Sequence, residues 1–141
     1  MKRPLFARAL KDERGLAALE FALILPILIA LVLFGLDGWL RINQVSQMSS
    51  ALQAGSRYYQ SGGSDDTAAA QVAVQAWSNA PGDAAVTTAR SCTCGGAGAS
   101  CSSLCAGNNL PNVYVTLTAT GTFSDMMGHQ PLSENGTVRV R

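Results

Sequence analysis

The stretch Arg14-Gly-Leu-Ala-Ala-Leu-Glu-Phe-Ala-Leu-Ile-Leu-Pro-Ile-Leu-Ile-Ala-Leu-Val-Leu-Phe-Gly-Leu36 decides how the chain is read. From Phe21 to Leu36 no residue carries a charge, and counted from Leu16 the run is interrupted only by Glu20. At ~1.5 Å per helical residue, roughly 20 apolar residues cross a hydrocarbon core. A core helix apolar on every face needs a large protein around it, and 141 residues are too few to wrap one. The segment is therefore expected to span a membrane once, from about Leu16 to Leu40.

Charge sets the expected orientation. Lys2, Arg3, Arg8, Lys11 and Arg14 precede Gly15, whereas Asp37 and then Arg41 follow the span. Basic flanks stay in the cytoplasm, which places the N-terminus inside and everything beyond about Leu40 outside, in the periplasm or the extracellular space. No small-residue step of the A-x-A kind follows the run in Phe34-Gly-Leu-Asp-Gly-Trp-Leu40, so cleavage of a secretory signal after it is not expected. Beyond Gly15 five bases face seven acids, leaving that part near −2. A nucleic-acid-binding body lacks its basic patch, and the bases belong to a leader.

Glu20 is the costly residue. A carboxylate in hydrocarbon costs several kcal/mol unless it is neutralised or paired. Arg14-Gly15 followed by Leu16, with Glu20 the fifth residue after the glycine, resembles the processing site of type IV prepilins. The words Gly15-Leu-Ala-Ala-Leu-Glu20-Phe21 and Glu20-Phe-Ala-Leu-Ile-Leu-Pro26 resemble the TadE/TadG-like pseudopilins of tight-adherence (Flp, type IVc) pilus systems. The resemblance covers about thirty residues. It implies removal of the leader 1–15 by a prepilin peptidase that cuts between Gly15 and Leu16. It also implies pairing of Glu20 with a freed N-terminal amine during assembly. The new amine on Leu16 would lie one turn from Glu20, on nearly the same face. Pro26, inside the span, is expected to kink the helix, because neighbouring turns in a membrane absorb the lost hydrogen bond.

The helical pattern continues past the membrane. Trp39 suits a headgroup level. Val45, Met48, Leu52, Gly55 and Tyr59 then recur at three- and four-residue steps among Asn43, Gln44, Gln47 and Gln53, predicting an outer helical half over 41–60 with an apolar stripe. Ser61-Gly-Gly-Ser-Asp65 breaks it, and Asp65 or Asp66 can cap a second helix near Thr67. Ala69, Val72, Ala73, Ala76 and Trp77 fall on one face through about Asn79, and Pro81-Gly82-Asp83 ends the pattern.

Strand signals dominate the remainder. Ala84–Arg90 reads as a short strand. Val113-Tyr-Val-Thr-Leu-Thr-Ala-Thr alternates, with Val113, Val115, Leu117 and Ala119 on one face. Gly121–Asp125 reads as a turn out of that strand, and Asn135-Gly136 as a tight turn before a last strand, Thr137–Arg141. Asn135-Gly-Thr137 also matches a glycosylation sequon, which the turn explains more cheaply. The fold class is α+β and, by resemblance, pilin-like: a long N-terminal helix whose first half spans the membrane, a short second helix and a small antiparallel sheet. Residues 61–141 form its extracytoplasmic domain.

Cys92, Cys94, Cys101 and Cys105 lie in a Gly/Ala/Ser-rich loop, 91–107. On an oxidising side an even number of cysteines favours two disulfides. Three connectivities exist; Cys92 to Cys94 would close a strained ring, so both are expected to pair outward to Cys101 and Cys105. C-x-C with C-x3-C is a poor version of zinc-site spacing.

No enzyme constellation stands out. His129 is the only histidine and reads as a solvated loop residue, Met126-Met127 read as packing, and no lysine follows Lys11 to complete a phosphate loop. No metal or cofactor is expected, and no nucleic acid. The expected function is that of a minor pilin or pseudopilin, a prepilin peptidase substrate that contributes to pilus assembly and surface adherence. Its implied partners are the peptidase, the inner-membrane assembly platform and other pilin subunits. The alternative is a permanently anchored binding module that recognises a ligand through its disulfide-stapled loop.

Overall fold

A computed structural model of the chain describes residues 13–125 and 128–141. The leader up to residue 12 and Met126-Met127, read above as packing, lie outside the described residues. The chain divides into two compact units, one up to Trp39 and one over Leu40–Arg141. The element order is α1 (Glu13–Gln60), α2 (Asp66–Ala76), β1 (Ala85–Cys94), β2 (Ala97–Ala99), β3 (Asn112–Asp125) and β4 (Gly128–Arg139). This is an α+β fold with a long apolar first helix, a short second helix and a four-stranded antiparallel sheet in the order β2-β1-β3-β4.

Helix α1 begins in Ala- and Leu-rich sequence, which loses little side-chain freedom in a helix, and it runs unbroken through Pro26. It stops where the chain needs a left-handed residue. Gly62 has φ +97, and its N–H bonds the Tyr59 carbonyl while the Gly63 N–H bonds that of Tyr58. Helix α2 is capped by Asp65, whose carboxylate accepts from Thr67 N at 2.8 Å and Ala68 N at 3.2 Å. It ends at Ala76, before the Asn79 read from the sequence, because Trp77 turns extended and bonds back to Val74.

In the second unit both helices lie on one face of the sheet. Met48, Ala51, Leu52 and Tyr59 of α1 meet Ala69 and Trp77 near α2, with Val115, Leu117, Ala119 and Val138 beneath. Burying side chains the size of Leu117 or Met48 contributes ~1.5–3 kcal/mol each. Gly55 marks the closest approach: a Cβ there would stand 2.6 Å from Leu117 Cδ2 and 3.2 Å from both the Ala69 carbonyl oxygen and Ala73 Cβ. Of the face read for α2, Ala69, Ala73 and Trp77 are buried, whereas Val72 and Ala76 are exposed. The working stripe is i, i+4, i+8, narrower than the sequence pattern implied.

Two glycine signals read as turns are strand residues. Gly121 pairs with Leu132, and β3 continues to Asp125. A Cβ on Gly121 would stand 2.6 Å from Pro81 Cγ and 3.5 Å from Trp77 Cη2, so the glycine serves close packing. Asn135 and Gly136 lie inside β4, paired with Thr118 and Leu117, and a Cβ on Gly136 would stand 3.7 Å from Leu52 Cβ, an ordinary contact. The last pair of the β3–β4 ladder is Asp125 with Gly128, whose φ of +124 suits only glycine. His129 is a strand residue opposite Ser124, exposed as expected but not in a loop. Pro131 is tolerated because β4 is an edge strand.

Candidate functional site

Within the first unit, none of the described side chains from Ala18 to Leu36 is buried. Leu19, Phe21, Leu23, Ile24 and Ile29 are each more than half exposed, and at 3.6 residues per turn they lie on every side of the helix. An apolar surface of this kind is incompatible with water and fits a single-pass membrane anchor. Glu20 lies on the exposed surface of that helix, and Gly15 and Leu16 lie in its first turns. The stretch Phe21–Leu36 has no acidic or basic residue to partner Glu20 from within its own helix.

The four cysteines form two disulfides, Cys92–Cys101 and Cys94–Cys105, with Cα separations of 5.1 and 5.5 Å. Local sequence builds the staple. Gly95 and Gly96, at φ +59 and +90, make a two-residue hairpin turn that folds β2 back onto the end of β1, pairing Cys92 with Ala99 and Cys94 with Ala97. The chain then turns again through Gly107 and Asn108, both left-handed, so that Cys105 N bonds Asn109 O at 2.8 Å. Closing loops of nine and eleven residues stabilises the domain by roughly 2–3 kcal/mol per bridge. Leu104, within the stapled segment, and Leu110, beyond its last cysteine, stand exposed.

A third cluster joins three elements of the second unit. Arg90 on β1 donates from Nη2 to Asp66 Oδ1 at 2.7 Å and from Nε to Oδ2 at 2.8 Å, and Nη2 also reaches the Ser64 carbonyl at 2.7 Å. Tyr59 on α1 donates its hydroxyl to Asp66 Oδ1 at 2.7 Å. The Arg90 guanidinium holds the Asp66 carboxyl below its ordinary range, with the Tyr59 hydroxyl acting in the same direction. Burial first, and then the hydrogen bond to Asp66, push the Tyr59 hydroxyl well above its usual value. A cleft of about 350 Å³ opens beside the cluster, lined by Tyr59, Gly63, Ser64, Arg90, Val113 and Arg141 among others. The arrangement is a structural clasp, since it holds a satisfied ion pair rather than a poised acid or nucleophile. Its members are far apart in sequence and carry separate signals there: Tyr59 on the apolar stripe, Asp66 as a possible cap and Arg90 at the end of a strand. No group of three or more His, Cys, Asp or Glu side chains is placed to hold a metal among the described residues.

Residues 15–57 match the family model described as TadE-like protein. The chain carries a TadE-like domain. The match opens at Gly15, takes in Leu16, Glu20, Pro26 and the Met48–Gly55 stripe, and closes before α2. The TadE-like segment therefore comprises the apolar helix and most of its continuation, while the sheet and both disulfides lie beyond it. No curated protein and no solved structure matches the chain.

Proposed function

We propose that this TadE-like chain is a minor pilin or pseudopilin of a tight-adherence pilus, cut between Gly15 and Leu16 by a prepilin peptidase. The observation that carries the reading is the TadE-like match beginning at Gly15 on a helix whose apolar side chains are exposed all round. Such a helix is at home in lipid, and equally among the helices of a filament, because both replace water with apolar neighbours. Glu20 supplies the reason to leave the bilayer. In lipid it is expensive; beside the amine of a neighbouring Leu16 it is paired in a medium of low dielectric. The basic leader remains in the cytoplasm and residues 61–141 face outside, with a kink at Pro26 adjusting the path of the helix. The assembly platform of the inner membrane and other pilins are its partners.

The test is shear fractionation of cells that express the full chain. The chain should appear with sheared surface filaments when the peptidase is active and remain in the membrane when it is not. A second reading is a permanent anchor that presents the stapled segment to a ligand, favoured by the exposed Leu104 and Leu110. Absence of the chain from sheared filaments under both conditions would support it.

A further inference from the structure

The sheet ends on two open edges that match each other. On one side β2 covers only Cys92–Cys94 of β1, leaving Ala85–Ser91 uncovered. The tight turn at Gly95–Gly96 makes Cys94 and Ala97 a hydrogen-bonded pair, so alternate residues of β1 direct their main-chain groups to that side. Val86, Thr88 and Arg90 thus present N–H and C=O outward, and these groups have no hydrogen-bond partner among the described residues. On the other side all of β4 is an edge. Its ladder closes on Asp125 with Gly128, so Ser133, Asn135, Thr137 and Arg139 present their main-chain groups outward. Pro131 lacks a donor, which confines a usable edge to Ser133–Arg139, the same length as Ala85–Ser91.

Direction and facing agree as well. Both β1 and β4 run antiparallel to β3, so they are parallel to each other. Even-numbered residues face the helices on both strands, as buried Cys92 and Val138 show. In a parallel pair a residue lies opposite one whose main chain points the other way, which places even residues opposite even ones. A second copy displaced sideways without being turned over therefore brings its β4 to β1 with helix faces aligned. Antiparallel pairing of the same edges would put the two sets of helices on opposite faces. A shallow apolar groove lined by Thr67, Ala70, Gln71, Val74, Ala85 and Val86 leaves the helix side of the β1 edge open to such an addition.

We propose that the chain self-associates by sheet continuation, with Ser133–Arg139 of one copy adding as a parallel strand to Ala85–Ser91 of the next. The interface is heterologous, so the copy at each end of a series keeps one free edge, and a sideways displacement that does not close on itself leaves the series open, as a filament requires. The inference rests on the edges alone and goes beyond the processing and membrane reading.

Cross-linking of the full chain in detergent tests it, with native disulfides intact. Thr87 and Asn135 lie on the outer face, exposed, and opposite each other in this register. A mixture of Thr87→Cys and Asn135→Cys chains should give an oxidised dimer linked between those two residues, absent from either variant alone. Ala89→Cys and Thr137→Cys, also exposed and opposite each other, should cross-link in the same way, and adding Asn135→Pro, which removes only an outward N–H, to the Thr137→Cys chain should abolish that dimer while the thermal transition of the domain persists. Dimers from Thr87→Cys alone, or no dimer in the mixture, would overturn the proposal.

Discussion

Arg90 and Asp66 form a two-pronged ion pair across 24 residues of sequence, and Tyr59 closes the clasp from a third element. The pair ties the start of α2 to β1, while the Tyr59 hydroxyl ties both to the end of α1. Each side chain of the ion pair remains more than a third exposed, at 38% and 35%, so solvent screens it and its net contribution is about 1 kcal/mol.

That clasp predicts a pH signature. The Asp66 carboxyl is depressed by Arg90, so its contribution is whole above the unfolded value near ~4 and is lost as pH falls through the lower folded value. The Tyr59 hydroxyl is raised, so its contribution is whole below the unfolded value near ~10 and is lost as pH rises toward the folded one. Arg90→Ala should lower domain stability by about 1 kcal/mol at neutral pH, with the deficit narrowing below pH ~4. Thermal unfolding followed by Trp77 fluorescence at both pH values checks this; a deficit that does not change with pH would remove the ion pair from the account.

Gly55 predicts a packing defect. Gly55→Ala gains ~1 kcal/mol of helix propensity but must displace Leu117, which is fully buried, and press on the Ala69 carbonyl. Net destabilisation of about 1 kcal/mol is expected, and Gly55→Leu should cost ~3 kcal/mol or prevent folding. Denaturant midpoints of the two variants measure it. A more stable Gly55→Ala protein would show that the three elements have room to separate.

The bridges predict their own map. Non-reduced protein should show no free thiol, and peptide mapping should recover Cys92 with Cys101 and Cys94 with Cys105. The double variant Cys94→Ser/Cys105→Ser should lose roughly 2–3 kcal/mol of stability. Recovery of a Cys92–Cys105 peptide would contradict the hairpin geometry.

The parts that could be read from sequence are those where one periodicity dominated. Met48, Leu52, Gly55 and Tyr59 announce a helix face by spacing, and Val113 through Ala119 announce a strand by alternation. Ala51, fully buried, gave no such signal because alanine suits either face. Gly121 misled for the opposite reason: a glycine needed for close packing looks the same in sequence as one needed for a turn, whereas Gly136 is a strand residue at which a Cβ would meet only ordinary contacts. The Arg90–Asp66 clasp depends on a crossing of α2 and β1 that no local pattern encodes. At the membrane end, the TadE-like match opens at Gly15 and takes in Glu20, the two residues whose spacing carries the resemblance in the sequence.

Glu20 predicts a separation of two functions. Glu20→Ala should be cleaved like the wild-type chain yet fail to enter filaments, because in the proposed function only assembly uses the carboxylate. Sheared-fraction yield relative to membrane-fraction yield measures this. Normal incorporation of the variant would refute the pairing with a neighbouring amine.

The most direct measurement of the central claim is the N-terminus of the chain recovered from membranes of cells with an active prepilin peptidase, by intact mass and N-terminal sequencing. The account predicts a chain that begins at Leu16, with Glu20 as its fifth residue. A chain that retains Lys2, Arg3 and the rest of the leader would contradict it.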